Sequence, residues 1–254
     1  MQVDLNSDMG ESFGRYRLGD DEALMPWITS ANIACGYHAG DPLVMRRTVA
    51  LAVRYGVGIG AHPGFPDLVG FGRRQMQVTA EEVESDLLYQ MGALAAFARA
   101  AGAKLAHVKA HGALYNMAET DPAVAKAILQ AIERFDGNLI AVCPAGSAMA
   151  QMAAERGLHV AREGFADRAY NADGTLRSRR LDGAMIDDPQ TAAAQAVRMA
   201  QDGAVVAFTG ETIPLQVDTI CLHGDAPGAV QAARAVRTAL EAAGIAVRPM
   251  GWPL

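Results

Sequence analysis

Several things are scarce in this 254-residue chain, and each scarcity excludes something. Aromatic residues make up only 6% of it, so a core must be built mainly from Ala, Val, Leu and Met within an apolar fraction of 51%. Positive charge is outnumbered, with 22 Lys and Arg against 28 Asp and Glu. The formal charge of −6 argues against nucleic acid or an anionic membrane as the main partner. Cysteine occurs three times, at Cys35, Cys143 and Cys221, widely spaced and without a Cys-x-x-Cys pair. An odd, dispersed set fits small packing residues in a reduced cytoplasmic protein, not a disulfide framework. The chain opens with no basic region followed by an apolar run, and no apolar stretch is long enough to span a bilayer. A phosphate-cradling Gly-x-x-x-x-Gly-Lys-Ser/Thr loop is missing, and Gly56-Val57-Gly58-Ile59-Gly60 lacks the third glycine of a dinucleotide fingerprint. Any nucleotide must be held some other way, or by another chain.

What the chain does have is an alternation. Strand patterns at 3–9, 29–35, 57–61, 104–109, 138–143, 158–163 and 218–222 alternate with helical stretches. Asp41-Pro42, Asp121-Pro122 and Asp188-Pro189 each read as an N-cap followed by proline in the first turn. Thr79 with Glu82 forms a capping box for a helix running to 101, and a last helix spans 227–243. A small hairpin is expected around Thr209-Gly210-Glu211, and an extended tail over 245–249. Parallel strands joined by helices follow from this order. About seven units predict one (β/α) barrel domain over 1–254, TIM-like with irregular or incomplete closure. A doubly wound open sheet is the runner-up, but its polar motifs should cluster at the switch point alone. Here they end nearly every strand, as on the active rim of a barrel.

In the first strand Asp4, Asn6 and Asp8 share a face, and Glu11 follows. Later strand ends contribute Asn32 and His38, then His62, Lys109 and His111, then Glu163, Asp167 and Arg168, and finally His223 and Asp225. His107 lies inside a strand and could face either way, whereas His159 starts one at the opposite rim and reads as structural. This mixture is compatible with a divalent metal, yet no His-x-His on the first strand and no His-Glu-x-x-His helix occurs. Lys109, flanked by apolar residues, is expected either to have a lowered pKa suited to acid–base work or to pair with Asp4 or Asp8. Arg73, Arg74, Arg168, Arg179 and Arg180 fall in loops, where one of them could clamp a substrate carboxylate.

Six dispersed stretches carry a resemblance: DLNSDMGESFG, SANIACGYHAGDP, GAHPGFPDLVGFGRR, VKAHGALYN, REGFADRAY and ICLHGD. Together they resemble the LamB/YcsF family, which includes the A subunit of bacterial ATP-dependent 5-oxoprolinase. The resemblance implies hydrolysis of 5-oxoproline to glutamate with ATP as co-substrate, two partner subunits, B and C, and a barrel similar to those of glycoside hydrolases and polysaccharide deacetylases. Within that expectation Asp4 or Asp8 would be the general base, with His62 or His111 as the alternative. Lys109 and His223 would stabilise developing negative charge, and Arg73 would hold the substrate carboxylate. Asn6, Glu11, Asn32, His38, Glu163, Asp167, Arg168 and Asp225 would complete the substrate site. The competing readings are a metal-dependent deacetylase or amidase acting alone, and a non-catalytic subunit that only binds substrate.

Overall fold

The first strand, β1 (Gln2–Met9), is buried on both faces, as a strand between a barrel lumen and an outer helical layer must be. The computed structural model describes residues 1–225 and 228–251. After β1 come α1 (Asp21–Leu24) with a 3-10 turn (Met25–Trp27), β2 (Ser30–Ala34), α2 (Pro42–Tyr55), β3 (Gly58–His62) and α3 (Ala80–Ala100). The middle of the chain forms β4 (His107–Val108), α4 (Gly112–Thr120), α5 (Pro122–Asp136), β5 (Ile140–Pro144), α6 (Ala148–Glu155) and β6 (His159–Phe165). Last come α7 (Pro189–Asp202), β7 (Ala204–Val206), β8 (Thr212–Pro214), β9 (Thr219–Leu222), α8 (Ala229–Ala242) and β10 (Ala246–Val247).

Parallel pairing runs β1-β2-β3-β4-β5-β6-β9 and then returns to β1, where Asp4 stands opposite Thr219 and Ser7 opposite Leu222. The sheet is therefore a closed seven-stranded barrel, and the open doubly wound alternative is excluded. The expected tail adds β10 beside the closure, Gln2 facing Ala246 and Val3 facing Val247. β7 and β8 form the expected antiparallel hairpin outside the barrel. Among the described residues no helix is long and apolar enough to cross a membrane.

The local signals act as they should. Asp41 accepts from the amides of Leu43 and Val44 ahead of α2, and Gly56 ends that helix at φ 67°, a conformation that favours glycine. Thr79 and Glu82 close the capping box of α3 reciprocally. The expected start of the last helix at Pro227 lies outside the described residues, and α8 runs from Ala229. The sequence pattern gives no warning of α4. Its N-cap residue is His111, which makes no side-chain cap, so the usual Ser/Thr/Asp/Asn start signal is missing.

The lumen carries an unusual column of polar side chains. At its floor Asp4 accepts hydroxyl hydrogens from Thr29 (2.8 Å), Ser30 (2.6 Å) and Thr219 (2.5 Å). Above it Asn6 donates to Thr219, Asn32 donates to Asn6, and the His107 ring meets Asn32 at 2.8 Å. His107 thus faces inward, and Gly60 on the neighbouring strand makes room for it. A Cβ at position 60 would fall 2.0 Å from His107 Nε2.

Candidate active site

Above that column, at the C-terminal end of the strands, the charges converge. Lys109 follows β4 and is 3% exposed, with Nζ 3.0 Å from Asp8 Oδ1 and 2.8 Å from Glu163 Oε1. Asn32 donates to Asp8 Oδ1 and the Tyr115 hydroxyl donates to Glu163 Oε2 at 2.6 Å. Burial alone would push the Lys109 ammonium down, but the carboxylates of Asp8 and Glu163 hold it well above the usual lysine range. Burial likewise raises Asp8, and the neighbouring His62 and Lys109 outweigh it and hold Asp8 well below the usual carboxylate range. The lowered lysine pKa expected from the flanking residues is therefore corrected: Lys109 is a fixed cation between two anions.

Beside Asp8 lies a cluster of three imidazoles. His62 closes β3, His111 precedes α4 and His38 sits in the loop after β2. His62 Nδ1 is 2.8 Å from the Lys109 carbonyl, and His111 Nε2 is 2.8 Å from the Phe71 carbonyl. Carbonyls only accept, so both of those nitrogens carry hydrogens. The two remaining nitrogens, His62 Nε2 and His111 Nδ1, face each other at 3.0 Å. The His38 ring stacks on His111 with centroids 3.7 Å apart, and its Nε2 is 3.5 Å from Glu11 Oε1. Burial and the neighbouring rings push His38 and His111 well below the usual histidine range, whereas burial and the charges of Asp8 and Asp225 push Glu11 well above the usual carboxylate range. Gln90 of α3 fixes the loop after His62 by bonding both the amide and the carbonyl of Gly64.

Across the mouth, Asp167 accepts from the backbone amide of His223 (2.9 Å) and from its Nδ1 (2.8 Å). Arg179 Nη2 lies 2.6 Å from His223 Nε2, which must accept because a guanidinium only donates. Arg73 pairs with Asp225 at 3.1 Å and lies over the Phe71 ring.

The LamB/YcsF family model matches residues 3–253. The chain belongs to the LamB/YcsF family. It is 55% identical over 251 residues to a Pyrococcus furiosus protein named as the A subunit of 5-oxoprolinase, covering 99% of this chain and 98% of that one. A Thermococcus onnurineus protein of the same name is 57% identical, with the same coverage. Among solved structures, the lactam utilization protein from Thermus thermophilus superposes with a TM-score of 0.94 at 48% identity, covering 98% of this chain and 100% of that one. A family 4 carbohydrate esterase from Streptomyces lividans, 12% identical with a TM-score of 0.53 over 97% of this chain and 91% of that one, shares the fold alone. The family resemblance read from the six motifs and the barrel expectation both hold.

In this LamB/YcsF chain the expected rim divides by depth. Asp8, Glu11, His38, His62, Lys109, His111, Asp167, His223, Arg73 and Asp225 gather at or just beneath the mouth. Asp4 does not: it lies at the floor with both oxygens engaged by hydroxyls, and burial raises its carboxyl to about 6. Asn6 and Asn32 are fully buried in the column beneath Asp8, and both oxygens of Glu163 are taken by Lys109 and Tyr115, so these three position other groups. Arg168 points elsewhere, donating to the Ala184 and Arg177 carbonyls and fastening the loop after β6. Cys221 touches Lys109 at 3.1 Å, but burial raises its thiol, and that of Cys35 to about 12, so neither is an activated nucleophile. Tyr115 joins the site without belonging to the expected set, and Arg179 joins it from among the five loop arginines. Tyr115 sits on the unheralded α4, and an arginine in a long loop carries no local signal of where its side chain ends.

Proposed function

We propose that this chain is the A subunit of an ATP-dependent 5-oxoprolinase, opening the five-membered lactam of 5-oxoproline to glutamate. Two things support the reading: the shared name of relatives that match along the whole chain, and an Asp167–His223 pair beside an ionised Asp8 at the open end of the barrel. The pair carries the chemical argument: Asp167 fixes the His223 tautomer with Nε2 as the accepting nitrogen, and Nε2 is released for a water proton when Arg179, which donates to it here, turns to the substrate carboxylate.

A lactam is a resonance-stabilised amide, so activation comes first. Transfer of the γ-phosphoryl of ATP to the amide oxygen, with release of ADP, makes the ring carbon electrophilic. The chain lacks a phosphate-cradling loop, so ATP is assigned to partner subunits B and C. His223 takes the proton of a water as its oxygen adds to the ring carbon, and returns it to the ring nitrogen as the carbon–nitrogen bond breaks. The acyl phosphate left behind is hydrolysed by a second water to glutamate and phosphate. Asp8, held well below the usual carboxylate range, is a weak base at neutral pH and serves to orient the water. Lys109 keeps Asp8 ionised and in place, and Arg73 and Arg179 hold the substrate carboxylate.

The test is ATP-dependent conversion of 5-oxoproline to glutamate by the purified chain, with and without added B and C subunits. Turnover only in the mixture, lost in Asp8→Asn, is the expected result. Turnover by this chain alone would overturn the need for partners, and full turnover in Asp8→Asn would overturn the placement of the site.

A further inference from the structure

Glu11, His38, His62 and His111 are all buried, and each offers one ligand atom within 4.8 Å of the others. Their proton inventory does not close. With His62 Nδ1 and His111 Nε2 committed to backbone carbonyls, His62 Nε2 and His111 Nδ1 face each other at 3.0 Å, as two lone pairs while both rings are neutral. Glu11 Oε1 and both nitrogens of His38 have no hydrogen-bond partner at all. Each buried polar atom left unsatisfied costs about 1–3 kcal/mol, so several at one point call for a common partner.

A shared proton is too small a remedy. Placed between His62 and His111 it leaves Glu11 and His38 as they were. A proton placed on Glu11 Oε1 would have to bridge 3.5 Å to His38 Nε2, longer than an ordinary O–H···N bond. A cation at the centre serves all four. Tetrahedral arms of about 2.1 Å set ligand atoms about 3.4 Å apart. The observed separations are 3.0 Å for His62–His111, 3.5 Å for Glu11–His38 and 3.8 Å for Glu11–His111.

We propose that Glu11, His38, His62 and His111 form a binding site for one divalent first-row transition-metal ion, with zinc the best match to three imidazoles and a carboxylate. The surroundings are those of a built site. The Lys109 and Phe71 carbonyls set the tautomers of His62 and His111, as outer groups do for metal-bound imidazoles. Glycines let the loops close on the rings: a Cβ at position 64 would meet His38 Nδ1 at 2.8 Å, and one at position 72 would meet the His38 Cβ at 2.7 Å. Asp8 Oδ2 stands 3.3 Å from His62 Nε2, at the edge of the ligand set and towards Lys109. The ion would supply a Lewis acid next to the carboxylate that orients water. The inference rests on the donor geometry and not on the cyclic-amide reading.

The test uses the purified full chain, stripped with a chelator and titrated with Zn²⁺, Mn²⁺ and Co²⁺, with bound metal counted by elemental analysis and affinity measured by calorimetry. One ion per chain is expected, with visible absorption of a four- or five-coordinate Co²⁺ complex. His62→Ala and the bulkier His111→Gln should each weaken binding by about 100-fold or more, while His159→Ala, exposed at the far end of β6, leaves it unchanged. Circular dichroism identifies a variant that fails to fold, and the other then decides. No ion bound by the intact chain, or undiminished affinity in a folded His62 or His111 variant, would overturn the site whether or not the chain turns over 5-oxoproline.

Discussion

The floor and the mouth of this barrel are made from the same kinds of side chain, yet their polar atoms end differently. At the floor the Asp4 carboxylate is closed by three hydroxyls, and Thr219 passes the network on to Asn6 and Asn32. At the mouth Glu11 Oε1 and both nitrogens of His38 have no hydrogen-bond partner, and the facing nitrogens of His62 and His111 stand 3.0 Å apart. Both regions are buried, so exposure does not separate them. The clustering of unpartnered atoms does: among the described residues of the column only His107 Nδ1 lacks a partner, whereas at the mouth Glu11 Oε1 and both His38 nitrogens lie open together, and such a cluster is held for something brought in from outside. Lys109 lies between the two regimes, tied downward to Asn6 and sideways to Asp8 and Glu163.

Three substitutions sharpen that contrast, in decreasing order of expected effect on stability. Lys109→Met strands the carboxylates of Asp8 and Glu163 in the barrel, and should destabilise the protein by about 3–5 kcal/mol and abolish turnover. Denaturant unfolding checks it, and an unchanged midpoint would break the account of Lys109 as a fixed cation. Asp4→Asn probes the floor through pH. Burial raises the Asp4 carboxyl from 3.8 to about 6 in the folded chain. The folded state holds that proton more tightly than the unfolded chain, so this contribution is intact below the unfolded value and is lost as pH rises through about 6. The stability difference between variant and wild type should therefore move in the variant's favour by up to about 3 kcal/mol from pH 3 to pH 7. A pH-independent difference would show that the three hydroxyls hold Asp4 ionised throughout. His223→Ala removes one donor from the buried Asp167 carboxylate but leaves the backbone amide of residue 223 on it, and should destabilise the protein by only about 1–2 kcal/mol. Turnover of the assembled enzyme should nonetheless fall by about 10²–10⁴-fold. A large stability loss with turnover retained would place His223 with the floor.

Much of this is legible in the residues. Asp41-Pro42, Thr79 with Glu82, and Gly56 mark their helix ends in the chain itself, because caps are satisfied within one turn. The strand-end motifs likewise announce a rim, since parallel strands all deliver their C-terminal ends to one face. Depth is not legible. Asp4 and Asp8 share a face of β1 and read alike, but two residue pairs of rise put one at the floor and the other under the mouth. The charge state of Lys109 escapes a sequence reading for a related reason. Its apolar neighbours in the chain suggest a depressed pKa, but the groups that set it come from β1 and β6.

The sequence by itself determined the order of the barrel strands, the helix starts that carry a side-chain cap, the family and the rim on which the polar residues fall, because each of these is written in short stretches of the chain. Which of those residues meet was decided only by closure of β9 onto β1. That closure brings Asn6 to Thr219 across 213 residues, and the same barrel sets His62 against His111 across 49. No local pattern encodes such pairings, since they depend on strand register around the whole barrel, and that register leaves the Asp4 carboxylate satisfied and the Glu11–His38 pair open.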